Sequence, residues 1–279
     1  MSIRHARVPI DGHCLHVAES GDPRGRPFLF LHGWPESWRT WTGVMAAAPS
    51  DARLIAIDLP GVGASTGAVD GGSKRALASL VHGLVERLGL ADLTLVGHDA
   101  GGMIAYAYLR HYAAARVVIM NTVIPGLDPW DDVLRDPRVW HFGLHAVPAL
   151  PEALVRGRER EYFDYFYDVL SADPSRITPE SRAAHAAAYG TGAALTAGFD
   201  LYRALAQDAE DNTARTGPIS TPLLYLRGDR EGGGTDAYAR GFRAAGVRDL
   251  TTATIEDAGH FAQEEQPSQV WSRIASFAG

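Results

Sequence analysis

The sequence predicts an α/β fold in which a mostly parallel sheet is flanked by helices and interrupted by an all-helical insertion. Three observations predict it. Short apolar runs recur through the first half of the chain and end in Gly- or Pro-containing turns. Amphipathic stretches at helical spacing lie between the later runs. A segment of about 90 residues then carries no convincing strand before the sheet pattern resumes.

The elements follow in order. Residues 28–31 are the first apolar run and end in His32-Gly33-Trp34-Pro35. Residues 54–57 are the second and end in Asp58-Leu59-Pro60-Gly61. Residues 93–96 run into Gly97, and residues 117–120 are the fourth. Short apolar runs bounded by turn residues suit strands buried on both faces. Between the second and third runs, Leu77, Leu80, Val81, Leu84, Val85 and Leu88 form one stripe of a helix over 73–88. A helix over 103–111 follows the third run. Strands and helices alternating in this way predict parallel strands joined by right-handed crossovers.

The pattern stops at Pro125. From there to Gly217 the chain is rich in Ala, Arg, Tyr and Asp, with amphipathic stretches at 151–170, 179–189 and 193–207. The sheet resumes at 222–226, a last strand is expected near 250–255, and a final helix over 267–277. The expected organisation is a core in two parts, 1–124 and 218–279, with a helical cap (lid) at 125–217 between two of its strands. Insertions at one rim of a sheet often carry function.

Composition narrows the function classes. With 46% hydrophobic and 21% charged residues in 279, the chain is an ordinary globular one, so disorder and collagen-like repeats are excluded. Cys14 is the only cysteine, which rules out an internal disulfide framework and a four-cysteine zinc site. A formal charge of −7 argues against nucleic acid as a partner. Of the 26 basic residues 25 are arginine and one, Lys74, is lysine, a bias we read as that of a GC-rich genome. The first eleven residues lack an apolar export core, and no apolar stretch approaches the ~20 residues of a membrane span. The expectation is a cytoplasmic protein without a membrane partner. A homodimer is compatible with the sequence.

Four motifs carry chemistry. Gly97-His98-Asp99-Ala100-Gly101-Gly102 lies between an expected strand and helix and has the G-x-S-x-G nucleophile-elbow pattern with Asp99 in the serine slot. The loop His32-Gly33-Trp34-Pro35 ends an earlier strand, so the N–H groups of Trp34 and Ala100 are the expected oxyanion hole. His260, in Asp257-Ala258-Gly259-His260-Phe261 before the last helix, stands where a catalytic base would come. The acid that would orient it lies in Arg227-Gly228-Asp229-Arg230-Glu231, after the strand that follows the insertion. Nucleophile, acid and histidine thus come in hydrolase order.

Together these residues resemble the α/β-hydrolase fold superfamily, and within it the aspartate-nucleophile branch of epoxide hydrolases and haloalkane dehalogenases. HGWPESWRTW at 32–41, DLPGVGAS at 58–65 and GHDAGG at 97–102 are similar to the epoxide hydrolase pattern, and the resemblance spans nearly the whole chain. It implies an α/β-hydrolase fold with an eight-stranded type of sheet and a helical cap. It implies an acid after either the strand before the cap or the strand after it. Asn121 stands at the first place, so the acid is expected three residues beyond Gly228, at Glu231, with Asp229 the alternative. The resemblance also implies a cap tyrosine as proton donor. Residues 189–203 are similar to the stretch that carries it, which points to the first tyrosine, Tyr189. Trp140-His141-Phe142 matches a bacterial branch in which a histidine pairs with that tyrosine, so His141 is its expected partner.

The implied reaction converts an epoxide and water to a vicinal diol. Tyr189 and His141 polarise the ring oxygen and Asp99 attacks a ring carbon to form an ester. His260, held by Glu231, then activates the water that releases it. No metal or organic cofactor is expected, and the implied partners are the small-molecule epoxide and water. A haloalkane dehalogenase is the nearest alternative, although Ala100 stands where that branch places a halide-binding tryptophan and where fluoroacetate dehalogenases place an arginine. A non-catalytic ligand-binding protein of the same fold is the other, and its sign would be a damaged triad.

Overall fold

In the computed structural model, which describes residues 2–232 and 234–279, the sheet begins earlier than the apolar runs suggest. Strands β1 (Arg4–Ile10) and β2 (His13–Gly21) form an antiparallel hairpin. Its turn is Asp11-Gly12, both at positive φ (46° and 82°). An Asp-Gly pair is a strong local hairpin signal. The sequence reading missed the hairpin because both strands mix polar with apolar residues rather than forming apolar runs, and β1 lies at the sheet edge.

Strands and helices then alternate: β3 (Pro27–Leu31), α1 (Thr42–Ala47), β4 (Arg53–Ile57), α2 (Lys74–Leu88), β5 (Thr94–His98), α3 (Ala100–His111) and β6 (Arg116–Met120). Between β6 and β7 (Leu223–Gly228) the described residues hold seven α-helices and no strand. These are α4 (Trp130–Arg135), α5 (Trp140–Ala146), α6 (Leu150–Val155), α7 (Glu159–Leu170), α8 (Pro179–Ala188), α9 (Gly192–Arg203) and α10 (Leu205–Ala214). The chain ends with α11 (Asp236–Ala244), β8 (Leu250–Ile255), α12 (Ala262–Glu265) and α13 (Pro267–Ala278). Two expected helices are each broken in two. The 151–170 stretch divides into α6 and α7 around Gly157 (φ 78°), and 193–207 divides at Ala204 into α9 and α10. Among the described residues no helix is long and apolar enough to cross a membrane.

The eight strands run β1-β2-β4-β3-β5-β6-β7-β8, with β1 and β2 antiparallel and β3 to β8 mutually parallel. Alternate side chains serve the two faces. Leu29 and Leu31 join the core under α2 and α3 with Leu84 and Ile104, whereas Phe28 and Phe30 join the core around Trp41, Trp271 and Ile274. From β3 the chain turns to β4 on one side and later returns to β5 on the other. That reversal opens a crevice beyond the carboxyl ends of β3 and β5, where open α/β sheets bind ligands.

The inserted helices are fastened to the core by polar contacts. Tyr167 of α7 donates its hydroxyl to the Pro35 carbonyl at 2.6 Å. His185 of α8 lies 2.7 Å from Glu264 and accepts the Ser37 N–H at 3.1 Å. Lys74 at the start of α2 forms an ion pair with Asp208 of α10 at 3.0 Å, both side chains 3% exposed.

Candidate active site

Asp99 occupies the turn from β5 into α3 with φ 51° and ψ −121°, a conformation that costs a non-glycine residue roughly 1–3 kcal/mol. The close approach that forces it requires glycine on either side. A Cβ on Gly97 would lie 2.1 Å from the Gly101 carbonyl, and one on Gly101 would lie 2.4 Å from that of Leu31. The turn presents the carboxylate at the crevice between β3 and β5. Trp34, in the loop after β3, donates its N–H to Asp99 Oδ1 at 2.9 Å. Ala100 is the first residue of α3, so its N–H is among the amides an α-helix leaves without an internal acceptor.

The other oxygen, Oδ2, lies 3.7 Å from His260 Nε2. His260 Nδ1 is 2.7 Å from Glu231 Oε1. Asp229 makes no such contact: it is exposed and receives the Ala258 N–H at 3.4 Å. Glu231 is the carboxylate beside His260. Its second oxygen takes the Asn121 side-chain amide at 2.8 Å and lies 3.3 Å from the Arg227 guanidinium. Burial would raise the Glu231 pKa, but the His260 hydrogen bond, the Arg227 charge and the Asn121 amide bring it down to about 2. Asn121, noted in the sequence as an amide in an acid's place, is thus a donor to the acid that stands elsewhere.

A second buried pair supports the histidine loop. His98 Nδ1 lies 2.8 Å from Glu36, both side chains fully buried. Burial opposes charge on His98, yet the Glu36 carboxylate, with Asp99 adding to it, raises its pKa to about 9. The imidazolium can then donate Nδ1–H to Glu36 and Nε2–H to the His260 carbonyl at 2.8 Å. Glu36 also takes the Thr40 hydroxyl at 2.6 Å and the Gln263 amide at 2.7 Å. Burial pushes the Glu36 pKa up, and the His98 charge and hydrogen bond, the His185 charge and the Thr40 hydroxyl hold it well below the carboxylate range.

A cavity of about 360 Å³ opens over these groups, lined by Trp34, Asp99 and His260 from the core and by His141, Phe166 and Tyr202 from the inserted helices. His141, the expected partner of Tyr189, lines the cavity. Its Nδ1 is buried without a partner, and burial, with His260 nearby, lowers its pKa to about 3, so it is neutral there.

Tyr189 does not line it. It caps the C-terminus of α8, fully buried and outside the cavity lining. Its ring packs edge-on against Phe163 at 5.2 Å and fills the space left by Gly198, where a Cβ would meet it at 2.7 Å. Its hydroxyl finds no hydrogen-bond partner. The tyrosine that lines the cavity from the same stretch is Tyr202, near the C-terminus of α9. Burial and the Asp99 charge keep the Tyr202 phenol well above its ordinary pKa, hence protonated. The reason for the correction is helical phase. Leu195, Phe199 and Tyr202 recur at i, i+4 and i+7 on the buried face of α9, whereas Tyr189 lies before the break that starts that helix. That spacing was the available signal for Tyr202. Glu36 and His98 had none, because their pairing joins distant parts of the chain, and Arg227 had none because only the local turn aims it at Glu231, four residues on.

Known proteins match this arrangement. A profile of the alpha/beta hydrolase fold family matches residues 26–267. The soluble epoxide hydrolase of Corynebacterium sp. (strain C12) is 28% identical over 99% of this chain and 97% of that protein. The crystal structure of Cfl2 from Burkholderia cenocepacia superposes with a TM-score of 0.90 at 31% identity, covering 99% of this chain and 96% of that one. That of the Cif epoxide hydrolase from Acinetobacter nosocomialis gives 0.87 at 26%, covering 99% and 88%. Matched by the family profile over residues 26–267, with Asp99 in a tight strand-to-helix turn at the switch point of its sheet, the chain belongs to the α/β-hydrolase fold family.

Proposed function

We propose that the protein is an epoxide hydrolase that works through an alkyl ester on Asp99, with residues 125–217 as the cap of its cavity. The observation that carries this is the division of labour on one carboxylate. Oδ1 is held by the Trp34 N–H, and Oδ2 is free on the side of His260. A serine would need the histidine to activate it; a carboxylate is already ionised at neutral pH and attacks saturated carbon directly. The names of the Corynebacterium and Acinetobacter relatives support the same activity.

The epoxide oxygen hydrogen-bonds Tyr202 and His141, while Asp99 Oδ2 attacks a ring carbon from the opposite side. The C–O bond of the ring breaks, and the alkoxide takes the Tyr202 proton. In the ester, Oδ1 is the carbonyl oxygen, already held by the Trp34 N–H, with the Ala100 N–H as the proposed second donor. Water then gives its proton to His260 Nε2 and adds to the ester carbonyl, and Glu231 stabilises the imidazolium. Collapse releases the diol, and the proton returns to Tyr202 through solvent. Ala100 offers no side-chain donor to a departing halide, which sets this reading above dehalogenation.

The test is a trap. His260→Gln should still open the ring and stall as an ester. Intact-protein mass spectrometry with an epoxide should show the protein plus one substrate mass, localised to Asp99 and lost in Asp99→Ala. Unimpaired turnover of His260→Gln with no adduct would overturn the mechanism.

A further inference from the structure

The geometry points to the Lys74–Asp208 pair, together with Gly72, as a core-mounted clamp that fixes the helix carrying Tyr202 and so positions the cap's proton donor for ring opening. The inference rests on the proposed role of Tyr202. It begins from a residue that function has not otherwise absorbed, the one lysine among 26 basic residues.

Two contacts meet the C-terminal turn of α9, and a third ties the same lysine to α10. Lys74 Nζ donates to the Leu201 carbonyl, one residue before Tyr202. That carbonyl is among the last four of α9, which a helix leaves without backbone donors. The same ammonium pairs with Asp208 Oδ2 at 3.0 Å, while the Lys74 N–H donates to Asp208 Oδ1 at 2.9 Å. One cation thus ties α9 and α10 to the start of α2. Two residues earlier the core presses on the same turn. A Cβ on Gly72 would lie 2.3 Å from the Asp200 carbonyl carbon and oxygen, and 2.7 Å from the Leu201 nitrogen. Glycine is what lets the two backbones meet there.

Stability alone is a poor reason for this design, because desolvating both charges offsets much of their attraction. Position is a better one. The compact ammonium of lysine can meet a carbonyl and a carboxylate at a single nitrogen, which a planar guanidinium cannot do in the same space. That accounts for a lysine where the chain otherwise writes arginine. Tyr202 projects from the clamped turn into the cavity, so its hydroxyl takes its place from the core rather than from the mobile end of a lid. A misplacement of about 1 Å at a reacting group can cost roughly 10²-fold in rate.

The two chemical steps separate this role from a general structural one. Lys74→Met/Asp208→Asn removes both charges and keeps an acceptor for the residue 74 N–H. Rapid-quench mass spectrometry then follows formation and decay of the Asp99 ester in single turnovers. Ester formation should slow roughly 10–10²-fold, with its decay within about twofold of wild type, because decay does not use Tyr202. In a Tyr202→Phe background the same pair of changes should slow formation no further. Unchanged formation, equal slowing of both steps, or a full additional loss in the Tyr202→Phe background overturns the clamp. If wild type forms no ester at all, the covalent reading falls and the clamp with it; an ester formed at the wild-type rate in the variant overturns the clamp alone. Should the double variant not fold, the wild-type protein supplies the measurement. With a single lysine, amine acetylation reads one side chain besides the α-amino group. Lys74 should stay unlabelled until the protein unfolds, and labelling at the rate of an exposed lysine overturns the clamp.

Discussion

The cavity has two walls built on different principles. The core side carries charges, each held by several partners: Glu231 at the cavity by His260, Asn121 and Arg227, and Glu36 buried beneath it by His98, Thr40 and Gln263. The wall supplied by residues 125–217 carries the rings of His141, Phe142, Phe166 and Tyr202 together with the charged side chains of Asp132, Asp136 and Arg138. Trp34 reaches up among the rings, 4.9 Å from Phe166 and 5.6 Å from Tyr202 between centroids. His141 Nδ1 and His145 Nδ1 are buried without partners. Among the described residues the large exposed hydrophobic side chains, such as Trp140, Leu154, Tyr165 and Val169, also all lie in the cap. A fixed ionic wall suits steps that make and move charge, since dipoles set in advance need not reorganise. The ring-lined part of the other wall, with neutral His141 and protonated Tyr202, suits an uncharged substrate whose one acceptor must be found.

The contrast can be broken at its strongest point first. Glu231→Gln should lower turnover by roughly 10²–10⁴-fold through slow ester decay, while Asp229→Asn leaves it within about twofold. Single-turnover decay of the Asp99 ester checks both, and the reverse ranking would move the acid to Asp229. On the cap wall, Tyr202→Phe should slow ring opening by roughly 10²-fold, the lower end expected where His141 still holds the oxygen. Tyr189→Phe should leave ring opening unchanged and stabilise the protein by up to about 1 kcal/mol, since it removes an unpaired buried hydroxyl. Diol formation rates and urea midpoints of the two variants distinguish them.

The smallest effect is on stability rather than rate. Folding raises the His98 pKa from its ordinary 6.5 to about 9, so the native state binds that proton more tightly than the unfolded chain does. The contribution is therefore full below pH 6.5 and is lost as pH rises through 9. His185, raised by Glu264 against the cost of burial, adds in the same direction. Urea midpoints should fall between pH 6.5 and 9.5, by an amount on the order of a few kcal/mol in unfolding free energy. His98→Gln, which keeps a donor but no titration, should flatten the slope and leave only the His185 share.

The parts legible in the sequence were those written in local pattern. Apolar runs gave β3 to β7, and the turn residues after them gave Asp99, Trp34 and His260 because each motif sits directly beyond a strand. Where a choice depended on how a turn aims its side chains, spacing could only rank the options. Glu231 and Asp229 are two residues apart, and only the fold turns one toward His260 and the other to solvent. Tyr189 and Tyr202 fall in one stretch of sequence but on different helices, so their order along the chain says nothing of which reaches the cavity. The buried Glu36–His98 pair joins loops 62 residues apart and leaves no mark that a linear reading can find.

Trp34 is more than a hydrogen-bond donor. Its amide touches the attacking carboxylate while its indole lies within the rings of the cap. An ester on Asp99, as proposed, would remove a negative charge at one end of this residue, while Phe166 and Tyr202 surround the other. Under the proposed mechanism the indole emission of Trp34 is an expected label-free readout of ester formation at Asp99.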